Sequence, residues 1–281
     1  MRTTTTVTNG SSCYQVGKKV ADGGTYRTFI CTPEGEREQC LLIISTSPDQ
    51  NGKLDRWVYI LRELKRISDE IEEEYARVKS GSKSPLNYEI QFPHVVDSFI
   101  SAEQGGRRII ILSFRKVEDV RKLVPLGNLT SKDRRRVDLR TSVWIVGKLL
   151  KLLAFAHSEG IATELMGKKN ILIEPEKHYV VIFDWTQAIL AQPGELAVEC
   201  QRKDIMGAAK AVLVALGGDL SKGTVPDTDD STNAYVDYLY WLARGNECDA
   251  KSAHSRLYQH TDSIWQRQFY QFTTKPLLKQ G

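Results

Sequence analysis

One almost wholly apolar segment constrains the fold of this chain more than any other feature. Residues 143–157 are apolar on nearly every side of a helix, and only Lys148 and Lys151 interrupt them. A membrane span needs about 18 uninterrupted apolar residues, so this segment is too short to be one. We therefore expect a buried helix at the centre of a helical lobe.

The chain before this helix has the pattern of a small antiparallel sheet with one long helix. Residues 26–31 and 40–45 are β-prone runs separated by a turn, and residues 94–101 and 108–114 flank a Gly-Gly pair. Each set predicts a β-hairpin. Between the hairpins, apolar residues recur every three or four positions over 54–78, which predicts an amphipathic helix.

The chain after residue 131 is mainly helical. A short hairpin is predicted at residues 170–173 and 179–183, because two apolar β-prone runs are joined by a turn that contains a proline. Further helices are predicted at 204–216 and within 234–272. A β-rich first part and a helical second part predict two lobes.

We place the meeting point of the two lobes near residue 115. The Thr- and Ser-rich residues 1–15 are expected to form a flexible N-terminus, residues 16–115 the N-lobe and residues 116–281 the C-lobe. A Gly/Ser/Pro break is expected at residues 80–85, after the long helix. The basic run at residues 132–140 is expected to be a solvated helix start, with binding of phosphate or an acidic partner as the alternative.

Composition excludes several classes of protein. The chain has 281 residues and a formal net charge of +4, which is small and evenly scattered, so we expect no nucleic-acid partner. No apolar run is long enough for a membrane span, and the N-terminus lacks the apolar core of a secretory signal. Five widely spaced cysteines without a Cys-x-x-Cys pair are typical of reduced thiols. We therefore expect a cytoplasmic protein without a membrane anchor.

Two further segments carry a resemblance to a known family. Residues 156–173 read AHSEGIATELMGKKNILI, and residues 180–186 read VVIFDWT. These segments resemble the catalytic loop and the metal-binding loop of protein kinases, and the predicted order of elements also resembles that of the kinase fold. The resemblance covers nearly the whole chain, about residues 15–270. It implies an α+β, bilobal protein-kinase-like fold, with a β-rich N-lobe that carries one long helix and a mainly helical C-lobe.

The catalytic loop departs from the kinase pattern at the residues that carry the chemistry. In H-R-D-x-K the aspartate orients the hydroxyl that accepts the phosphoryl group. The positions of His, Arg, Asp and Lys are filled here by Thr163, Glu164, Leu165 and Gly167. Leucine cannot accept a proton. Glu164 is a candidate substitute base, and the alternative is a surface carboxylate without a catalytic role.

Both family positions for metal ligands are retained. Asn170 closes the catalytic loop, and Asp184 stands at the position of the D-F-G aspartate, followed by Trp-Thr instead of Phe-Gly. Carboxylate and amide oxygens suit Mg²⁺ held between protein and phosphate. The resemblance therefore makes Asn170 and Asp184 candidate metal and nucleotide ligands. The alternative is structural, because Asn readily satisfies backbone groups in loops and a lone Asp can cap a turn.

The glycine-rich loop is the poorest match. The three glycine positions of G-x-G-x-x-G-x-V are filled by Ala21, Gly23 and Tyr26, and its valine position by Thr28. Gly23 and its neighbour Gly24 are candidate nucleotide-binding residues, because glycines let backbone N–H groups approach phosphate. The alternative is that both form an ordinary turn.

The lysine and glutamate that form an ion pair in protein kinases are both absent. The third strand of the motif, residues 40–45, reads CLLIIS and holds no lysine. The glutamate position on the long helix, taken relative to Leu61, holds Trp57. Replacing a buried ion pair by apolar packing is often neutral or stabilising. The absence of the lysine is therefore consistent with the absence of its glutamate partner. Asp204 resembles the aspartate that begins the central helix of the kinase C-lobe and braces the catalytic loop.

These departures favour a degenerate member of the protein-kinase-like superfamily, a pseudokinase. We expect it to act as a protein-binding or allosteric module whose partner is another protein. The expected cofactor is ATP or ADP with Mg²⁺, bound weakly and without phosphoryl transfer, or none. The alternative is a divergent phosphotransferase or nucleotidyltransferase that uses Asp184 and Asn170 for metal. Only 17 residues separate the D-W-T segment from Asp204, without A-P-E, which argues against peptide phosphorylation.

Overall fold

The computed structural model describes residues 5–78, 86–164, 166–266 and 268–277. The chain forms two compact units. The first unit consists of Met1–Leu123 with Trp185–Gln187, and the second of Val124–Asp184 with Ala188–Gly281.

The first unit is built on a six-stranded antiparallel sheet in the order β1-β2-β3-β4-β6-β5. Its strands are β1 (Thr5–Asn9), β2 (Ser12–Asp22), β3 (Tyr26–Pro33), β4 (Cys40–Ser45), β5 (His94–Ser101) and β6 (Arg107–Ser113). Strand β4 lies between β3 and β6, and every residue of β4 is buried. Both predicted hairpins are confirmed, because β3 pairs with β4 and β5 with β6.

The long helix of the first unit is α1 (Asn51–Val78), as its periodicity predicts. It buries an apolar stripe in its first half, and the residues of that stripe are Leu54, Trp57, Val58, Ile60, Leu61 and Leu64. Beyond Ser68 no residue of this helix is buried. The predicted break at 80–85 lies outside the described residues.

The N-terminal segment differs from its prediction. Residues from Thr5 onward form β1 and the start of β2, where a flexible terminus over 1–15 was expected. The reason is long-range packing, because Val7 and Tyr14 are buried in an apolar cluster to which all six strands contribute. Asn9 and Tyr14 also donate hydrogen bonds to the Asp97 carboxylate on β5, at 3.0 and 2.9 Å.

The two units divide at Leu123, later in the chain than the expected boundary near residue 115. The intervening residues remain with the sheet because Val117 and Val120 are buried and the Gln39 N–H donates to the Glu118 carbonyl at 3.1 Å.

The second unit is mainly helical and centres on a buried helix. Its helices are α2 (Leu126–Ser131), α3 (Leu139–Ser158), α4 (Val198–Ala215), α5 (Asn233–Ala243) and α6 (Ala250–Thr261). Helix α3 packs against α4 and α6 and is buried along most of its length, as its composition predicts. Asp138 caps its first turn by accepting from the Thr141 N–H at 2.7 Å. Among the residues described here, no helix is both long and apolar enough to cross a membrane.

Short strands complete the second unit. They are β7 (Val124–Pro125), β8 (Arg135–Val137), β9 (Ile161–Ala162), β10 (Ile171–Glu174), β11 (Tyr179–Ile182), β12 (Ile189–Leu190) and β13 (Thr274–Pro276). Strand β10 pairs with β11 in the predicted hairpin and with β7 on its other side. Strand β9 pairs with β12, and β8 with β13.

The basic run at 132–140 is not simply a solvated helix start. The Arg135 guanidinium donates to Thr274 in β13, and Arg140 donates to the Gln266 carbonyl. Arg136 is buried and forms an ion pair with Asp227 at 2.8 Å. These arginines bind the C-terminal segment of the chain and the loop that contains Asp227. Their partners account for the high number of arginines in this run.

Candidate functional site

The sequence-predicted site residues are divided between the two units. In the first unit, Gly23 and Gly24 lie in the turn between β2 and β3. The Gly23 N–H donates to the Tyr26 carbonyl at 3.0 Å, and the Gly24 carbonyl accepts from the Thr46 hydroxyl at 2.7 Å. The turn is therefore held by one hydrogen bond of its own, which uses the Gly23 N–H, and by a second from Thr46 beyond β4.

An aromatic pair links the start of β3 to helix α1. The rings of Tyr26, at the start of β3, and Trp57, on α1, are in tilted contact with centroids 5.2 Å apart. Trp57 is fully buried. The register pairs Tyr26 with Ser45 and Thr28 with Ile43, so the neighbouring positions of β4 carry no cationic side chain. This part of the first unit is held by apolar contact.

In the second unit, the catalytic-loop segment is anchored by Asp204 on α4. Its carboxylate accepts from the Thr163 N–H at 2.7 Å, from the Thr163 hydroxyl at 2.8 Å and from the Glu164 N–H at 3.1 Å. His157 Nε2 lies 3.2 Å from the same carboxylate, which is only 1% exposed. The bracing role that the resemblance implies for Asp204 is therefore observed. Leu165, at the position of the catalytic aspartate, lies outside the described residues.

Glu164 is turned toward α4. Its backbone is in the left-handed region, with φ of 55°, and its carboxylate lies 3.6 Å from the Lys203 ammonium. Burial raises the pKa of the Cys200 thiol, and a hydrogen bond to Glu164 raises it further. These contacts favour a structural carboxylate over a catalytic base. The ion pair with Lys203 cannot be predicted from the sequence, because Lys203 is distant along the chain and no local pattern distinguishes it from other exposed lysines.

Asn170 and Asp184 lie side by side, but the amide of Asn170 is bound to the backbone of Asp184. The Asn170 Nδ2 donates to the Asp184 carbonyl at 2.9 Å, and the Asp184 N–H donates to the Asn170 Oδ1. Across residues 5–78, 86–164, 166–266 and 268–277, no three His, Cys, Asp or Glu side chains are grouped as metal ligands. This pair therefore fits a metal only with most ligands supplied by nucleotide phosphate and water.

Gly207 on α4 and Gly127 on α2 have no side chain, and this lets the backbone of the catalytic-loop segment pack closely against both helices. Gly167 forms a tight turn in which its carbonyl accepts from the Asn170 N–H at 2.9 Å. A Cβ at Gly207 on α4 would lie 2.5 Å from the Met166 carbonyl oxygen, and a Cβ at Gly127 would lie 3.1 Å from the Lys168 carbonyl oxygen. Lys168 and Lys169 are exposed.

Gly207→Ala should lower the free energy of unfolding by about 2 kcal/mol, because the added methyl group forces the Met166 carbonyl away from α4. Urea denaturation measures the change. Gly52→Ala is the matched control, since a Cβ there meets nothing within 4 Å and alanine favours a helix. Equal effects of the two substitutions would contradict the close packing of α4 against the loop.

Comparisons with known proteins identify the fold. No family model matches the chain, and no curated protein matches its sequence. Among solved structures, that of vaccinia related kinase 3 matches with a TM-score of 0.64 over 94% of this chain and 92% of that chain, at 11% sequence identity. The chain therefore has a protein-kinase-like fold, as the resemblance implies.

Proposed function

We propose that this chain is a pseudokinase, a cytoplasmic regulatory module that binds another protein and holds ATP or ADP with Mg²⁺ at most weakly. One observation carries the proposal. Trp57, at the position that the resemblance gives to the glutamate, is fully buried and packs against Tyr26, and strand β4, where the resemblance places the phosphate-binding lysine, has none. Without that lysine, a bound triphosphate lacks the cation that normally neutralises it within the first unit.

The second unit supports the same proposal. The position of the catalytic aspartate is a leucine, and the neighbouring Glu164 pairs with Lys203. The amide of Asn170 is bound to the Asp184 backbone. What remains well built is the bracing of the loop by Asp204. A fold that keeps its internal bracing without its reactive groups suits a module that is recognised by its shape.

The test is the thermal unfolding midpoint with and without 1 mM ATP or ADP and Mg²⁺ or Mn²⁺, together with a phosphate-transfer assay. We expect the midpoint to rise by less than about 1 °C, because a ligand far below its Kd adds little to RT ln(1 + [L]/Kd). We also expect no phosphate transfer.

The alternative function predicts the opposite outcome. A divergent phosphotransferase would show a rise of several degrees together with metal-dependent turnover, and both would disappear in Asp184→Asn. Asp230→Asn is the matched control, because Asp230 is an exposed aspartate of the same unit. That combination of results would overturn the pseudokinase proposal.

A further inference from the structure

Cys31 and Cys40 lie directly opposite each other on β3 and β4. The antiparallel register pairs their Cα atoms, and both side chains belong to the apolar cluster to which all six strands contribute. Opposed residues of antiparallel strands have Cα atoms about 4.5 to 5.5 Å apart. Disulfides form at Cα separations of about 4.4 to 6.8 Å. The backbone therefore already holds the two cysteines at a distance that a disulfide can span.

We propose that Cys31 and Cys40 are a redox modification site, at which a low-molecular-weight disulfide such as glutathione disulfide oxidises the pair to a reversible cross-strand disulfide. The thiolate of one cysteine attacks a sulfur of the oxidant, which forms a mixed disulfide and releases one glutathione. The thiolate of the second cysteine attacks the protein sulfur of that mixed disulfide and releases the second glutathione. In total, the two protein thiols lose two protons and two electrons. Glutathione disulfide accepts them and is reduced to two glutathione thiols.

The surroundings make this reaction slow in both directions. Cys31 is 1% exposed and Cys40 is 3% exposed. Burial raises the pKa of both thiols to about 12, with a further contribution from Cys40 to Cys31, and from Glu38 and Glu36 to Cys40. The thiolate is the reactive form, so the neutral pair reacts slowly with an oxidant. A disulfide formed there is equally shielded from reductants, and the modification is therefore persistent.

The disulfide would fix the β3–β4 ladder. It would close the connection at residues 32–39 and prevent any slip of β3 along β4. The same ladder pairs Tyr26 with Ser45, so it holds the end of β3 from which Tyr26 reaches Trp57. The disulfide does not depend on the proposed function, because it requires only the β3–β4 register and the packing of both cysteines in the same cluster.

The test uses a chain in which Cys13→Ala, Cys200→Ala and Cys248→Ala leave Cys31 and Cys40 as the only two thiols among the five cysteines. The folded protein is incubated with glutathione disulfide, quenched with acid, unfolded, alkylated and digested for mass spectrometry. We expect a peptide pair linked through Cys31 and Cys40, no alkylation of either residue, and an unfolding midpoint raised by several degrees. Dithiothreitol should reverse all three results. Adding Cys40→Ala should abolish the linked pair and the rise.

Failure of the proposal is equally visible. If both cysteines remain fully alkylatable after prolonged incubation of the folded protein, while the same chain oxidises readily in urea, the proposal is overturned. The wild-type chain is mapped in parallel, so a failure of the three-alanine chain to fold leaves the experiment decisive. Absence of the Cys31–Cys40 peptide from the oxidised wild-type protein would overturn the proposal in the same way.

Discussion

Asp204→Ala should lower the free energy of unfolding by about 4 kcal/mol, because it removes a buried carboxylate that three donors share. The Thr163 N–H and hydroxyl and the Glu164 N–H lose their acceptor, and each unsatisfied buried donor costs about 1 to 3 kcal/mol. His157 loses its partner as well. Urea denaturation followed by circular dichroism measures the loss.

Two further variants define what Asp204 contributes. Asp204→Asn keeps one acceptor oxygen but turns an amide N–H₂ toward a donor, so we expect a loss of about 2 kcal/mol. Asp230→Ala removes an exposed aspartate and should change the free energy of unfolding by less than about 0.5 kcal/mol. If Asp204→Ala behaved like Asp230→Ala, the catalytic-loop segment would not depend on α4.

Trp57→Ala should lower the free energy of unfolding by about 4 kcal/mol, because truncating a fully buried indole leaves a large cavity between α1 and β3. The ring of Tyr26 also loses its contact with Trp57. Near-ultraviolet circular dichroism reports the loss of ring packing, and urea denaturation reports the loss of stability.

The matched control for Trp57 lies two residues along the same helix. Tyr59 is 52% exposed, so Tyr59→Ala should cost less than about 1 kcal/mol. In a double-mutant cycle, Trp57→Ala and Tyr26→Ala should show a coupling energy of about 1 kcal/mol, which is typical of aromatic pairs. A coupling energy of zero would mean that the two rings stabilise the first unit independently.

Local periodicity predicts the elements that form the body of each unit. The 3.6-residue pattern of α1 and the nearly all-apolar α3 are visible in the sequence because burial selects apolar residues at fixed spacing. Both hairpins of the first unit are visible as short β-prone runs joined by turn residues. The kinase-like fold follows from the order of these elements, together with the catalytic-loop segment.

Features that depend on distant partners could not be predicted in the same way. Strand β1 reads as a polar tail because Val7 is its only buried residue, and its partners lie far along the chain. Arg135 and Arg140 look like solvated side chains in the sequence. Their partners, Thr274 and Gln266, lie far away along the chain and cannot be inferred from the local pattern. At the candidate site, the residue types are visible in the sequence. That the Asn170 amide is bound to the Asp184 backbone follows only from the folded loop.

The position of β1 has a consequence for how the first unit can meet other chains. In an open sheet, the two outermost strands expose unpaired N–H and C=O groups that invite another strand to add on. Here β1 lies near β5, and Asn9 on β1 and Tyr14 on β2 donate side-chain hydrogen bonds to Asp97 on β5. These side-chain contacts cover part of both outermost strands, which makes the addition of another strand there less favourable.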